Sequence, residues 1–423
     1  MKNGKWRTCR KMKNSGIEWL GEVPEGWSVD RIASLYTHRN EKVSDRDYAP
    51  LSVTMKGILP QLETAAKTDD GDNRKRVCKG DFAINSRSDR RGACGISSYE
   101  GSVSLINTIL SPRESMDPGY YNWLFHTASF ADEYYKWGHG IVDDLWTTRW
   151  SEMKRISIVR PPLPEQRKIA AYLDRTCAKI DEIVAGTKQT IEEYKAWKAS
   201  LIFEAVTGKC RIENGKCRMG GRKMRDSGIP WLGEVPEGWN TLRLRFLCDI
   251  TTGDSDTQDA SPEGKYPFYV RSPIIERSNH FTFEGEGVLM AGDGAGAGRI
   301  FHEARGKYAV HQRVYIMYNF RKIIMRLFKY YISVSFPHVM DGGSAQSTVP
   351  SVRLPMLQNL LCVVPPHLDQ LSIVEYLDKR CGIIDRVIAE KEALIADLEA
   401  YRKSLIFEVV TGKRSVGENG LVA

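Results

Sequence analysis

Residues 12–27 read MKNSGIEWLGEVPEGW and residues 224–239 read MRDSGIPWLGEVPEGW, so 13 of 16 positions are identical at an offset of 212. A second pair of segments, residues 161–209 and 365–413, shares 22 of 49 positions at an offset of 204. Both offsets are close to half of the 423-residue chain. Internal similarity at this scale indicates two tandem copies of one unit, which would present two similar surfaces to a partner with two sites.

The second pair of segments predicts a long helix in each copy. Pro161-Pro162 and Pro365-Pro366 suit a helix start, because proline fixes φ and is tolerated in the first turn. Apolar residues then recur mostly at steps of three and four, and Gly208 and Gly412 follow as candidate C-cap residues. At 1.5 Å per residue, each stripe of about 43 residues would span about 64 Å.

A helix of this length with one apolar stripe needs a partner for that stripe. The other copy carries a matching stripe, so we expect the two helices to form an antiparallel intramolecular coiled coil. The alternative is that each helix packs on its own globular domain.

Between the repeats, β-rich runs such as 101–110 and 307–318 alternate with Gly- and Asp-rich turns, which is typical of mixed α/β domains. We therefore predict an α+β or mixed fold with a pseudo-twofold internal repeat, in which two globular α/β domains are separated by the two long helices. The expected segments are an N-terminal lead segment at 1–27, a first domain at 28–160, a long helix at 161–209, a basic linker with the second lead segment at 210–239, a second domain at 240–364, a long helix at 365–413 and a tail at 414–423.

The composition is that of a soluble globular protein, with 42% apolar and 27% charged residues. No apolar run reaches 18 residues and the N-terminus lacks the apolar region of a signal peptide, so we expect a cytoplasmic protein. The nine cysteines are scattered without zinc-site spacing and are expected to be reduced thiols. A net charge of +8 favours a polyanionic partner.

Sequence motifs for catalysis are missing. There is no G-x-x-x-x-G-K-[ST] loop for ATP, no H-E-x-x-H metal motif and no G-x-S-x-G nucleophile turn. The glycine-rich stretch 292–298 fits only a loose dinucleotide pattern, and a tight turn explains it equally well. The sequence therefore predicts no catalytic, metal or cofactor site in this chain.

Several motifs occur in the same order in both copies. They are the W-L-G-E-V-P-E-G-W segment, the Pro-Pro-x-x-[Glu/Asp]-Gln helix start at Pro161–Gln166 and Pro365–Gln370, and the S-L-I-F-E-x-V-T-G-K ending. Together they resemble the DNA-specificity subunit of type I restriction–modification systems, and the resemblance covers almost the whole chain.

The resemblance implies a non-catalytic, prokaryotic cytoplasmic DNA-binding subunit. Residues 28–160 and 240–364 would be target-recognition domains that each read one half of a bipartite, asymmetric sequence in double-stranded DNA. The paired helices would space the two domains and dock two methyltransferase subunits, with two restriction/translocase subunits in the full complex. S-adenosylmethionine, ATP and Mg²⁺ are expected on those partners, and no cofactor is expected on this chain.

Candidate DNA contacts are basic and polar residues in turn-rich stretches and near predicted strand ends. In the first domain they are Lys56, Arg74, Lys75, Arg76, Asn85, Arg87, Arg90 and Arg91, and the resemblance adds Thr147 and Arg149, which lie in the place of a family loop often rich in polar residues. In the second domain they are Tyr269, Arg271, Arg299, His311, Gln312 and Arg313, and the resemblance adds Ser344 and Gln346, whose loop is similar to a Gly-Ser-x-Gln stretch of the family.

Two other functions remain open at this level. One is a coiled-coil scaffold that does not read DNA, which a salt-sensitive, sequence-dependent gel shift would distinguish. The other is a fused DNA methyltransferase or nuclease, which methylation of DNA by the isolated chain would indicate.

Overall fold

The computed structural model describes residues 10–61, 71–87, 92–113, 116–141, 146–342 and 350–417. The chain divides into two compact units, the first formed by 1–187 with 393–423 and the second by 188–392. Two 44-residue helices, α5 (Leu163–Val206) and α8 (His367–Val410), cross the boundary between these ranges. Each unit therefore contains the beginning of one long helix and the end of the other.

The bounds of α5 and α8 confirm the two long helices predicted from the periodicity. Gly208 and Gly412 follow the helix ends with φ of +75° and +73°, the left-handed conformation that a C-cap glycine adopts. Short strands and helices make up the rest of the described chain, so the expectation of a mixed fold is also confirmed.

In the part of the first unit that the structure describes, short strands and four short helices accompany the segments of the long helices. Its helices are α1 (Ile32–Leu35), α2 (Pro118–Phe125), α3 (Ala128–Lys136) and α4 (Trp150–Met153). Its strands are β1 (Met12–Asn14), β2 (Glu22–Pro24), β3 (Ser28–Arg31), β4 (Tyr36–Arg39), β5 (Lys42–Val43), β6 (Leu51–Thr54), β7 (Gly57–Pro60), β8 (Arg74–Val77), β9 (Phe82–Asn85), β10 (Cys94–Ile96), β11 (Gly101–Val103), β12 (Asn107–Pro112) and β13 (Ser157–Arg160). They form sheets ordered β10-β9-β12-β4 and β11-β8-β5, with the pairs β1-β2, β3-β13 and β6-β7.

The second unit has a larger sheet. Its helices besides the long ones are α6 (Met325–Gly342) and α7 (Leu354–Gln358), with 3-10 turns at Leu244–Phe246 and Thr257–Asp259. Its strands are β14 (Cys210–Glu213), β15 (Lys216–Met219), β16 (Met224–Asp226), β17 (Glu234–Pro236), β18 (Asn240–Arg243), β19 (Asp249–Thr252), β20 (Tyr266–Tyr269), β21 (Glu276–Ser278), β22 (Phe283–Ala291), β23 (Phe301–Val310), β24 (Val314–Tyr318) and β25 (Leu361–Val364). Six of them form a sheet ordered β19-β24-β22-β23-β20-β21, beside the pairs β14-β15, β16-β17 and β18-β25.

The two units share a sheet plan although their sequences there are not visibly alike. The order β10-β9-β12-β4 in the first unit corresponds to β23-β22-β24-β19 in the second. The β-rich runs 101–110 and 307–318, read as single stretches in the sequence, are each broken by a turn between two strands. The turns at 104–106 and 311–313 contain neither Gly nor Pro, so the sequence carries no strong turn signal at these places.

Both units pack the end of one long helix against the start of the other. In the first unit, Leu405 and Ile406 of α8 share a buried core with Cys177 and Ile180 of α5. The second unit buries another such set, with residues Ile202 and Ala205 of α5 and Leu377 and Cys381 of α8. Within each unit the apolar stripes of the two helices therefore face one another.

The lead segments fasten the helices in the same way in each unit. Trp27 donates its indole N–H to Glu165, near the start of α5, at 2.9 Å. Trp239 donates to Asp369, near the start of α8, at 3.0 Å. An arginine lies over each indole ring, Arg10 at 5.7 Å and Arg222 at 5.8 Å. The near-identity of the two lead segments thus reflects a shared structural task.

The structure corrects the prediction for one pair of cysteines. Cys210 and Cys217 form a disulfide across the hairpin of β14 and β15, with Cα atoms 5.5 Å apart. The turn at Asn214-Gly215 brings alternate side chains of the two strands onto one face, which places the two thiols together. The other six described cysteines are free, as expected.

The glycines that end the long helices provide a stability test. A Cβ atom at Gly208 would overlap the ring of Pro236, and one at Gly412 would overlap the ring of Pro24. Gly208→Ala and Gly412→Ala should each lower the free energy of unfolding by about 2 kcal/mol, since left-handed strain alone costs 1–3 kcal/mol. The check is the urea midpoint of the full chain. Gly382→Ala in the interior of α8, where a Cβ meets nothing within 4 Å, is the control and should raise the midpoint.

Candidate nucleic-acid interface

Four of the residues predicted to contact DNA line one groove of the first unit. The groove has a volume of about 430 Å³ and is lined in part by Lys75, Arg87, Thr147 and Arg149. These residues come from three separate parts of the sequence. Strand pairing brings them together, because Arg87 directly follows the sheet and forms a β-bridge with Thr147.

Strand alternation separates Lys75 from its neighbours Arg74 and Arg76, because successive side chains of a strand point to opposite faces. Lys75 reaches the groove and donates to the backbone oxygen of Asn107 at 2.7 Å. Arg74 is buried and donates to the hydroxyl of Ser102 at 2.8 Å. Its burial removes it from any surface that DNA could reach, in disagreement with the sequence-based expectation.

The groove also contains an aromatic platform that the sequence did not suggest. His38 stacks on Trp150 with ring centroids 5.5 Å apart and an angle of 20° between the planes. Burial lowers the pKa of His38, and the nearby Lys75 ammonium lowers it further. Because its pKa is lowered, His38 is mainly neutral at pH 7. Burial also lowers the pKa of Lys75. The positive charge in the groove comes from the lysine and the two arginines.

The remaining first-unit candidates lie elsewhere. Lys56 is exposed in the turn between β6 and β7. Arg76 pairs with Glu41 at 3.0 Å, and the buried Asn85 accepts a hydrogen bond from the backbone N–H of Arg87 at 2.9 Å. Asn85 therefore shapes the turn that presents Arg87. Arg90 and Arg91 lie outside the described residues.

In the second unit, two predicted residues meet on one carboxylate. Arg271 donates through Nη1 to one oxygen of Asp293 at 2.9 Å, and Arg313 donates through Nη1 to the other oxygen at 2.5 Å. We call these three residues the arginine clamp. Burial acts to raise the pKa of Asp293, but the hydrogen bonds from Arg313 and Arg271 outweigh it and the pKa is lowered. Asp293 stays ionised at neutral pH, so the clamp carries a net charge of about +1.

The other second-unit candidates surround the clamp or lie apart from it. His311 is buried and its Nδ1 accepts the backbone N–H of Arg313 at 3.0 Å. Gln312 is exposed, whereas Tyr269 is buried. Arg299 pairs with Asp341 at 2.6 Å on the surface. Burial removes Tyr269 and His311 from a surface that DNA could reach, in disagreement with the sequence-based expectation, and His311 instead holds the backbone of Arg313. Ser344 and Gln346 lie outside the described residues.

The first-unit groove and the arginine clamp occupy corresponding places in the two sheets. Asp293 follows β22 and forms a β-bridge with Ser351, as Arg87 follows β9 and bridges to Thr147. An arginine then precedes the next short helix in each unit, Arg149 before α4 and Arg353 before α7.

Sequence reasoning missed three functional candidates: His38, Asp293 and Arg353. The exposed Arg353 was detectable, because it lies 204 residues after Arg149, the same offset that relates the repeated helices. Asp293 carries no sequence signal of a DNA contact, because a carboxylate repels the phosphate backbone. His38 had no signal in the sequence, since its partner Trp150 is more than 100 residues away.

No metal site is built from the part of the chain that the structure describes, since no group of three or more His, Cys, Asp or Glu side chains is placed to hold an ion there. None of the helices in this part is both long and apolar enough to cross a membrane. The arrangement instead offers hydrogen-bond donors and positive charge on two similar surfaces, which suits a polar, anionic ligand.

Comparison with known proteins finds similarity to DNA-specificity proteins of type I restriction–modification systems. Residues 236–398 match the family model described as the type I restriction modification DNA specificity domain. The specificity subunit of the type I restriction enzyme EcoDI from Escherichia coli is 24% identical over 181 residues, which are 43% of this chain and 40% of that protein. The alignment thus spans less than half of that relative.

The fold is also found among solved structures. A chain from a structure concerned with complex assembly and conformational transition of the type I R-M system has a TM-score of 0.69 at 15% identity, over 92% of this chain and 98% of the other. The HsdS subunit from Thermoanaerobacter tengcongensis has a TM-score of 0.48 at 16% identity, over 92% and 98% of the two chains. At 15% identity, the similarity to the first of these two structures shows a shared fold and nothing about function.

Proposed function

We propose that this chain, which matches the type I restriction modification DNA specificity domain over residues 236–398, is a type I DNA-specificity subunit and selects the DNA target of such a complex. Residues 28–160 and 240–364 are the two target-recognition domains. Each reads one half of a bipartite, asymmetric sequence in double-stranded DNA, and an unspecified stretch of base pairs separates the two halves.

One observation carries this proposal. Corresponding places in two similar sheets hold different polar groups, Lys75 with Arg87 in the first unit and the arginine clamp in the second. A pure scaffold gains nothing from two similar surfaces with different donors. Two readers of an asymmetric target need that difference, because base edges are distinguished by their pattern of donors and acceptors.

The long helices supply the separation between the readers. In the first unit Asp181 of α5 pairs with Arg402 of α8 at 3.3 Å, and in the second unit Lys198 of α5 pairs with Asp385 of α8 at 2.6 Å. An advance of 17 residues along α5 therefore matches a retreat of 17 along α8. This constant register supports an antiparallel intramolecular coiled coil and a pseudo-twofold relation between the copies.

Catalysis belongs to partner subunits in this proposal. The chain docks two methyltransferase subunits, and through them two restriction/translocase subunits, in the cytoplasm of a prokaryotic cell. S-adenosylmethionine, ATP and Mg²⁺ bind those partners. The chain's own contribution is to position the methyltransferases on one DNA site.

Exchange of one recognition domain tests this assignment. If residues 28–160 are replaced by the corresponding segment of another family member, we expect one half of the methylated sequence to change and the other half to persist. The reason is that the replaced residues touch only one half-site. The measurement is a genome-wide map of modified adenines in cells that carry the exchanged gene.

Cells without the gene are the control, and their map should lack the split sequence altogether. If both halves changed together, the assignment of one reader to each half would be wrong. If the wild-type gene left no split sequence in the map, the chain would not be a specificity subunit.

A further inference from the structure

The arginine clamp leaves one edge of each guanidinium available. Arg271 and Arg313 each use Nη1 for Asp293, and the Nε and Nη2 atoms of both have no hydrogen-bond partner within the described part of the chain. An Nε–Nη2 edge presents two parallel N–H donors. Both arginine side chains are well exposed, at 42% and 62%, while Asp293 beneath them is 15% exposed.

We propose that Arg271 and Arg313 read guanine in the half-site of the second unit, with Asp293 as the residue that positions them. This inference rests on the proposed function and names part of the target. The Nε–Nη2 edge matches O6 and N7 of guanine, and this pairing is the commonest specific contact of arginine in the major groove. Because both arginines bind one carboxylate, their guanines lie within about two base-pair steps of 3.4 Å.

Asp293 favours a base edge over a phosphate as the ligand. A carboxylate within hydrogen-bond distance of both guanidinium groups halves the net charge of the pair and repels a phosphate oxygen. A guanine edge carries no formal charge and meets no such repulsion. The carboxylate also restricts each side chain to one orientation, which lowers the entropy lost on binding.

The backbone around the clamp is held firmly. Arg313 is fixed by its N–H, which His311 Nδ1 accepts, and by its carbonyl, which accepts Gly292 N–H at 2.9 Å. Gly292 has no space for a side chain, since a Cβ there would lie 2.8 Å from the Arg313 oxygen. The loop after Arg271 is anchored through Ser272, whose carbonyl lies 3.0 Å from His302 Nε2. The clamp is therefore preorganised, as a site that discriminates bases must be.

The first unit differs at the corresponding place. Arg87 stands where the second unit has Asp293, and no carboxylate lines its groove among the described residues. The two half-sites should therefore be read by different sets of side chains, and only the second unit holds its arginines on a shared carboxylate among the described residues.

The test uses the full chain in complex with its methyltransferase subunits and a library of randomised DNA duplexes. The wild-type complex should enrich two separated blocks, and the block that persists when residues 28–160 are exchanged should contain guanine. Arg271→Ala and Arg313→Ala should each weaken binding to that duplex roughly 5- to 150-fold, the range of one bidentate base contact. Replacing the guanine by 7-deazaguanine, which lacks N7, should weaken wild-type binding while leaving the corresponding alanine variant unaffected.

Asp293→Asn tests the positioning role. We expect this variant to bind the library but to select guanine less strictly in the same block. Arg321→Ala and Asp249→Asn are matched controls: the two residues form a surface ion pair at 2.6 Å at the opposite end of β24, about 17 Å from Arg313 along the strand. Both controls should select the wild-type sequence.

The outcomes separate the two levels of the argument. A split sequence without guanine in the second block, or an unchanged selection by Asp293→Asn, would overturn the inference and leave the proposed function intact. A wild-type complex that enriches no block at all would overturn the proposed function and the inference with it.

Discussion

Inserting four residues into both long helices, after Gln189 in α5 and after Ala393 in α8, should lengthen the unspecified stretch of the DNA target by one base pair. Four residues add about 6 Å of helix and advance it by about 40° beyond a full turn. One base pair adds about 3.4 Å and rotates the duplex by about 36°. The extra rotation of the helix equals that of one base pair, and its extra length is less than that of two base pairs. A map of modified adenines with the altered gene measures the result.

A control insertion keeps the helices unchanged. Four residues added at the exposed turn Asn214-Gly215, between β14 and β15, alter neither α5 nor α8 and should leave the target as in the wild type. Full activity on the original spacing after insertion into both helices would rule out a helical spacer. Insertion into α5 alone should abolish activity, because the apolar stripes then no longer face each other over their whole length.

Leu405→Ala should destabilise the chain by about 2–5 kcal/mol, the range for truncating a fully buried leucine. Leu405 is completely buried and belongs to a core that includes Cys177, Ile180 and Tyr120. Its loss leaves a cavity where α8 meets α5 in the first unit. We expect a large drop in the urea midpoint and loss of methylation in cells at elevated temperature, since a change of this size is a large fraction of a domain's stability.

Leu394→Ala is the matched control on the same helix. Leu394 is 45% exposed, so the same substitution should change the free energy of unfolding by less than about 0.5 kcal/mol. Equal effects of the two substitutions would contradict the packing of the end of α8 against α5.

The long helices could be predicted because their signals are local and repeated. An apolar residue every three or four positions over 44 residues, with proline before and glycine after, specifies a helix with little ambiguity. The sheets could not be predicted in the same way. Strands of three or four residues such as β10 and β11 have too few positions to show a period, and their pairing depends on contacts distant in sequence.

The residues of the candidate site could be predicted only in part, because residue type is visible in the sequence whereas strand pairing is not. Arg87 and Arg271 were predicted from residue type and from their places between predicted elements, and Arg149 from the place of a loop that the family resemblance implies. Lys75 reaches the groove and Arg74 does not, because they lie on opposite faces of β8. The strand sequence RKRV has no alternation of polar and apolar residues that would show which face is exposed. Asp293 needed the structure, because only the folded chain shows two arginines on one carboxylate.

The division of the chain has a consequence for its synthesis. The second unit is one continuous stretch, 188–392, whereas the first unit needs residues from both ends of the sequence. Its core stays incomplete until Leu405, Val409 and Val410 leave the ribosome. The unit whose synthesis begins first is thus the last to complete its core, and its apolar surface stays exposed during that interval.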